Sequence, residues 1–196
     1  MQKSKKFRLV SRVFGFVSLC LLSAVIFQGA AQEQKVSEEY QAQAMGQGSQ
    51  MGQTFNVTLH IEEYSTPEER QILVDAFEKA GSQGLFNALN KMKSKGRIAI
   101  TGTVGYDVSF ARKLPSAEGT KIRILTNRPI TFGEAWTDSR SMDYNLSVLE
   151  LDLVSQKNKS TGTLLPASQF VIDKKTHELT IENYQNPWKL VDVMVR

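Results

Sequence analysis

The sequence predicts an α+β domain: a strongly curved or partly closed antiparallel sheet of about seven to eight strands, with a two-helix hairpin after the first strand. A two-sheet sandwich with the helices on one side is the alternative. Three observations carry this expectation. Apolar and polar residues alternate with a period of two through most segments after residue 54, one segment changes to three-and-four spacing behind a helix-start signal, and Gly and Pro punctuate the later segments. Open antiparallel sheets of that size curl or split.

The first strand is read from Phe55, Val57, Leu59 and Ile61, which alternate with Asn56, Thr58, His60 and Glu62. One face goes to the core and the other to water. Thr66-Pro67-Glu68-Glu69 then starts a helix: Thr66 caps it, Pro67 occupies the first helical position where no N–H is needed, and Glu69 completes a capping box. Leu73, Phe77 and Ala80 form its apolar stripe, and Gly81 supplies a left-handed stop. Ser82 can cap a second, shorter helix carrying Leu85, Phe86, Leu89 and Met92, which gives the hairpin.

Further strands are expected at Ile98 to Ile100, Val104 to Phe110, Ile122 to Ile124, Tyr144 to Leu153, Thr163 to Ile172, Leu179 to Ile181 and Leu190 to Val195. The apolar set shifts from Leu146 and Val148 to Leu149 and Leu151, which calls for a β-bulge near Val148. Pro166 argues for an edge or a bulge in its own strand.

Ahead of this domain, Lys3, Lys5, Lys6, Arg8 and Arg12 precede an uncharged apolar run from Val13 to Phe27, and Gln28-Gly29-Ala30-Ala31 places small residues at −3 and −1 of a cut after Ala31. Residues 1–31 are therefore expected to be a signal peptide and the address extracytoplasmic, periplasmic or secreted. An uncleaved signal anchor that tethers the protein to the membrane is the alternative, although a spanning helix wants about 20 apolar residues. Residues 32–53, rich in Gln and Gly, are expected to be a disordered tail. Residues 54–196 make a single domain.

The chain has a formal net charge of +4, but its 24 basic residues become 19 against 20 acidic ones once the leader is removed. Nothing then implies a nucleic-acid partner. Cys20, the single cysteine, lies in the leader, so packing rather than disulfides must hold the domain. A short leader followed by a Gln-rich stretch has a bacterial character.

The expected domain lacks the usual catalytic sets. His60 and His177 are its only histidines, it has no thiol, and neither a nucleophile elbow, a phosphate loop nor a dinucleotide fingerprint occurs. No cofactor is expected. The candidate site is the irregular segment from Arg128 to Asp143, where Arg128, Phe132, Glu134, Trp136, Asp138 and Arg140 combine aromatics with charges. Long segments on a rigid sheet are where binding concentrates. An arginine there can hold a carboxylate in bidentate fashion while the aromatics cover it. Glu134, Asp138 and Asp143 admit the alternative of a cell-envelope hydrolase working through paired carboxylates. A structural or assembly subunit is the third reading.

Three segments, Ile61 to Arg70, Gly102 to Asp107 and Ile181 to Tyr184, make the chain similar to a group of uncharacterised secreted bacterial proteins. The likeness spans most of residues 57–196. It implies export and a shared fold, with no activity to carry over. The expectation is an exported, non-catalytic domain that takes a small ligand or an envelope protein as partner.

Overall fold

The alternation read from Phe55 onward does become strands, and the computed structural model, which describes residues 35–101, 103–117, 119–130, 145–155 and 160–196, joins them in one antiparallel sheet. Its elements are β1 (Lys35–Gly46), a 3-10 turn (Gly48–Gln50), β2 (Thr54–Glu63), α1 (Pro67–Leu89), β3 (Gly96–Ile100), β4 (Tyr106–Ser116), β5 (Gly119–Thr126), β6 (Leu146–Val154), β7 (Thr161–Ile172), β8 (Leu179–Gln185) and β9 (Trp188–Val195). The sheet order is β6-β5-β4-β3-β2-β1-β9-β7-β8, and β6 also pairs with β7. That last pairing closes the sheet into a barrel in which β1 to β8 follow one another side by side, while β9 lies between β7 and β1.

The expected α+β class is thereby corrected: the described fold is all-β, nine antiparallel strands with one helix. The helical hairpin is corrected too. Ala80 and Gly81 leave helical geometry, Gly81 with φ 57°, but α1 resumes at once and runs to Leu89 as one kinked element. A hairpin needs a loop of about two to five residues outside both helices, and two kink residues bend the helix without releasing it. Gly84 comes so close to Ala76 that a Cβ there would stand 2.0 Å from the Ala76 carbonyl oxygen, so the bend requires a residue without a side chain. At the other end, Thr66 and Glu69 form the expected capping box, with Glu69 N–H donating to Thr66 Oγ1 at 3.2 Å and Thr66 N–H to Glu69 Oε2 at 2.9 Å.

The tail expected to be disordered is the third correction. Residues 35–46 form β1, paired with β2 along one edge and with β9 along the other. Tyr40, Ala42 and Ala44 point into the barrel and are buried. The Gln side chains that suggested a solvated tail alternate with them, so the segment reads as a strand only when both neighbours are known. The expected leader lies outside the described residues.

β8 and β9 behave as one strand that is broken where the ladder cannot be bridged. Ala167 faces Gln185 and Leu164 faces Trp188, so the register against β7 carries straight across the gap. The unpaired positions hold Pro166 and Pro187, which have no N–H to give, and Asn186 turns through φ 49°. Against β6, the pairing jumps from Leu146–Ser168 to Val148–Leu165, which puts the extra residue on β7, beside Pro166. β6 itself keeps its alternation. Leu149 and Leu151 face the barrel, while Leu146 and Val148 face outward and are buried against α1.

Two cores result. Inside the barrel, β1 to β7 and β9 all contribute, with Leu59, Ile61, Ile98, Ile122, Ile124 and Trp188 nearly inaccessible. A ring of eight strands is just wide enough for side chains to fill, and Trp188, tilted against Phe55 at a ring separation of 4.5 Å, fills much of it. The second core lies outside, where Leu73, Leu85 and Leu89 of α1 cover Phe110, Leu125, Val148, Leu165 and Phe170.

Candidate functional site

The outer face of the barrel changes character between two adjacent rows of cross-strand partners. Phe110, Leu125, Val148 and Leu165 face one another across β4 to β7 and lie beneath α1. Two residues further along β4, Arg112 stands opposite Arg123, and Arg123 opposite Glu150. A bulge creates this arrangement. Val108 pairs with Thr126 and Phe110 with Leu125, so Ser109 is an extra residue that turns Phe110 and Arg112 outward while Val108 and Ala111 stay inside.

The helix is set beside these rows by Ser65, whose N–H donates to the Ala111 carbonyl at 2.8 Å and whose hydroxyl accepts from Ala111 N–H at 3.1 Å. A cleft of about 390 Å³ opens there, between the start of α1 and β4, lined by Thr66, Pro67, Arg70, Phe110, Arg112 and Lys113 among others. A narrower recess of about 40 Å³ continues from Arg70 and Arg112 over an apolar floor of Leu73, Leu125, Phe170 and Leu179, with Arg123 and Glu178 at its edge. Arg70 Nη1 and Arg112 Nη1 both donate to Glu178 Oε1, at 3.3 and 3.2 Å. All three side chains are about one-third exposed.

Arg112 and Arg123 are like charges directly opposite each other, which is unfavourable on a sheet unless anions intervene. Glu150 serves Arg123 at 2.6 Å and also accepts from Lys121 at 3.1 Å. Burial pushes the Glu150 carboxyl up, but Arg123 and Lys121 outweigh this and hold it below its ordinary value. Among the described residues, Arg112 pairs with the Glu178 oxygen that it shares with Arg70. The arrangement can take an anion at the arginines and an apolar group in the recess.

Beside the cleft, at one end of the barrel, Glu38 gathers Lys113 Nζ at 2.6 Å and the hydroxyls of Tyr40 and Tyr64. Burial raises the Glu38 carboxyl, yet the hydrogen bonds from Lys113 and the two phenols bring it below its ordinary value. Both phenols are pushed up, chiefly by burial and then by Glu38, so they remain donors.

Glu38, Glu63 and Glu150 all titrate below their ordinary 4.5 in the folded protein; for Glu63 the hydrogen bond from Lys95 is the largest cause. A carboxyl whose pKa is depressed by folding contributes stability that is complete above its unfolded value and lost as pH falls through the folded one. The melting temperature should therefore be insensitive to these groups above about pH 5 and fall steeply below about pH 4. A melting temperature unchanged between about pH 6 and 3 would show that these contacts do not contribute.

Of the residues expected from sequence to form the site, Arg128 alone is described. Its guanidinium lies 5.0 Å from the centre of the Tyr106 ring and Nη2 donates to the Gly105 carbonyl at 3.3 Å. It does not line the cleft. Phe132, Glu134, Trp136, Asp138, Arg140 and the alternative carboxylate Asp143 lie outside the described residues. The cleft residues Arg70, Arg112 and Glu178 escape the sequence reading because single charges on a helix, on a strand and in the turn before β8 read as solvated. Only the register, which sets Arg112 against Arg123, marks them.

Fold and cleft together define an all-β barrel domain with an arginine-rimmed recess on its outer face. No protein-family model matches the chain, and neither a curated protein nor a solved structure matches it. Among the described residues, no helix is long and apolar enough to cross a membrane.

Proposed function

We propose that the protein is a non-catalytic binding domain that works outside the cytoplasm, and that it takes an organic anion with an apolar body in the cleft between α1 and the outer face of β4 and β5. The observation that carries this is the juxtaposition of Arg112 and Arg123 above the apolar recess of Leu73, Leu125, Phe170 and Leu179. Arginine suits the task because its planar donors match an anion's oxygens. Burying the apolar body supplies the larger share of affinity, about 25 cal/mol per Å² removed from water before the costs of association. Export is supported by the basic start, the uncharged run and the Gly29 and Ala31 spacing.

Decanoate, acetate and decyltrimethylammonium separate the two requirements. Decanoate should raise the melting temperature in a dose-dependent way, while acetate, without a tail, and the cationic amphiphile, without an anionic head, should not. Arg112→Ala should weaken decanoate roughly tenfold, the scale of one charged hydrogen bond. Equal responses to decanoate and to the cationic amphiphile, or an unchanged response in Arg112→Ala, would refute the reading.

A further inference from the structure

We infer that Glu178 is a built-in occupant of this anion site, and that the ligand's head group is a carboxylate which takes its place between Arg70 and Arg112. The inference rests on the proposed function above and adds the head-group class and its competitor. The Glu178 carboxylate already sits where a ligand's would, one oxygen shared by the two Nη1 atoms at 3.3 and 3.2 Å, at the edge of the apolar recess.

Three features make it replaceable. Its side chain is 36% exposed, so it has a way out to water. An ion pair that exposed is held weakly, because water and salt screen it. Its backbone does not depend on the arginines: the Asp173 N–H donates to the Glu178 carbonyl at 2.9 Å, and Asp173 Oδ1 accepts from the backbone N–H groups of Lys175 and Thr176, both at 2.8 Å. The turn thus stays closed when the side chain swings away. While Glu178 is in place, Arg70 and Arg112 share its carboxylate. A ligand must compete with Glu178, and its apparent affinity is lowered by the fraction of molecules in which Glu178 is in place.

The test is calorimetric titration of decanoate into the full-length protein and its Glu178→Gln and Glu178→Ala variants, each also carrying Arg70→Ala and Arg112→Ala together in a parallel set. Both single variants should bind decanoate about two- to fivefold tighter than the parent, and the gain should vanish when both arginines are replaced. Binding by the parent with no gain in either variant would overturn the role of Glu178 and leave the cleft standing as the site. A gain that survives replacement of both arginines would overturn it as well, since the arginines would then not be what Glu178 occupies. Failure of all three proteins to bind decanoate would overturn this inference and the proposed function together.

Discussion

A chain that begins at Thr54 should show no cooperative thermal unfolding, whereas one that keeps residues from Gln32 onward should melt in a single transition. Removing β1 unpairs β2 along one edge and β9 along the other, and it takes Tyr40, Ala42 and Ala44 out of the barrel interior. Each backbone hydrogen bond lost contributes about 0.5–1.5 kcal/mol, and burial of a large side chain such as Tyr40 about 1.5–3 kcal/mol. Summed over both ladders, the loss exceeds the 5–15 kcal/mol of net stability typical of a domain. Far-UV circular dichroism and scanning calorimetry of the two chains check this. A sharp transition in the shorter chain would mean that the barrel closes without β1.

Lys95→Met should cost about 3–5 kcal/mol, the largest loss expected from a single charge. The Lys95 side chain is 1% exposed, and its ammonium lies 2.5 Å from Glu63 Oε1 and 2.7 Å from Glu69 Oε1. Burial drives its pKa down, but the two carboxylates more than offset this and hold it above its ordinary value. The contact ties the end of β2 to the first turn of α1, because the same Glu69 closes the capping box through its other oxygen. Without the ammonium, Glu63 stays buried beside Lys93, whose side chain is 68% exposed. Lys93→Ala, by contrast, should cost no more than about 1 kcal/mol, as exposed ion pairs do. For a domain of this size the Lys95 loss corresponds to a fall of about 6–20 °C in melting temperature. Equal melting temperatures for the Lys95 and Lys93 variants would show that the buried cluster is not a stabilising tie.

How far the fold could be read depended on how local each signal was. The capping box at Thr66 and Glu69 involves residues three apart, and it is present as the spacing predicts. The strands from Phe55, Ile98, Ile122 and Leu190 have their own alternation and are there. β1 was hidden because its inward residues include the small Ala42 and Ala44, which declare themselves apolar only opposite β2 and β9. Gly81 carries a stop signal on sound local grounds, but the departure at Ala80 and Gly81 kinks the helix without ending it. The shift at Val148 looked like a bulge because α1 buries the outer face of β6, and no local pattern says that a helix lies there. The site was least legible. Arg70, Arg112 and Glu178 come from α1, β4 and the turn before β8, and the outward position of Arg112 depends on the extra residue at Ser109.

The most direct test of the cleft is to follow the arginine Nε–H resonances by nuclear magnetic resonance while decanoate is added. Arg70 and Arg112 should move together and saturate at one stoichiometric equivalent, with the Phe110 and Leu125 side chains shifting in parallel and Arg128, on Tyr106, staying still. Movement at Arg128 with Arg70 and Arg112 unchanged would contradict the account, since the anion would then lie elsewhere on the barrel.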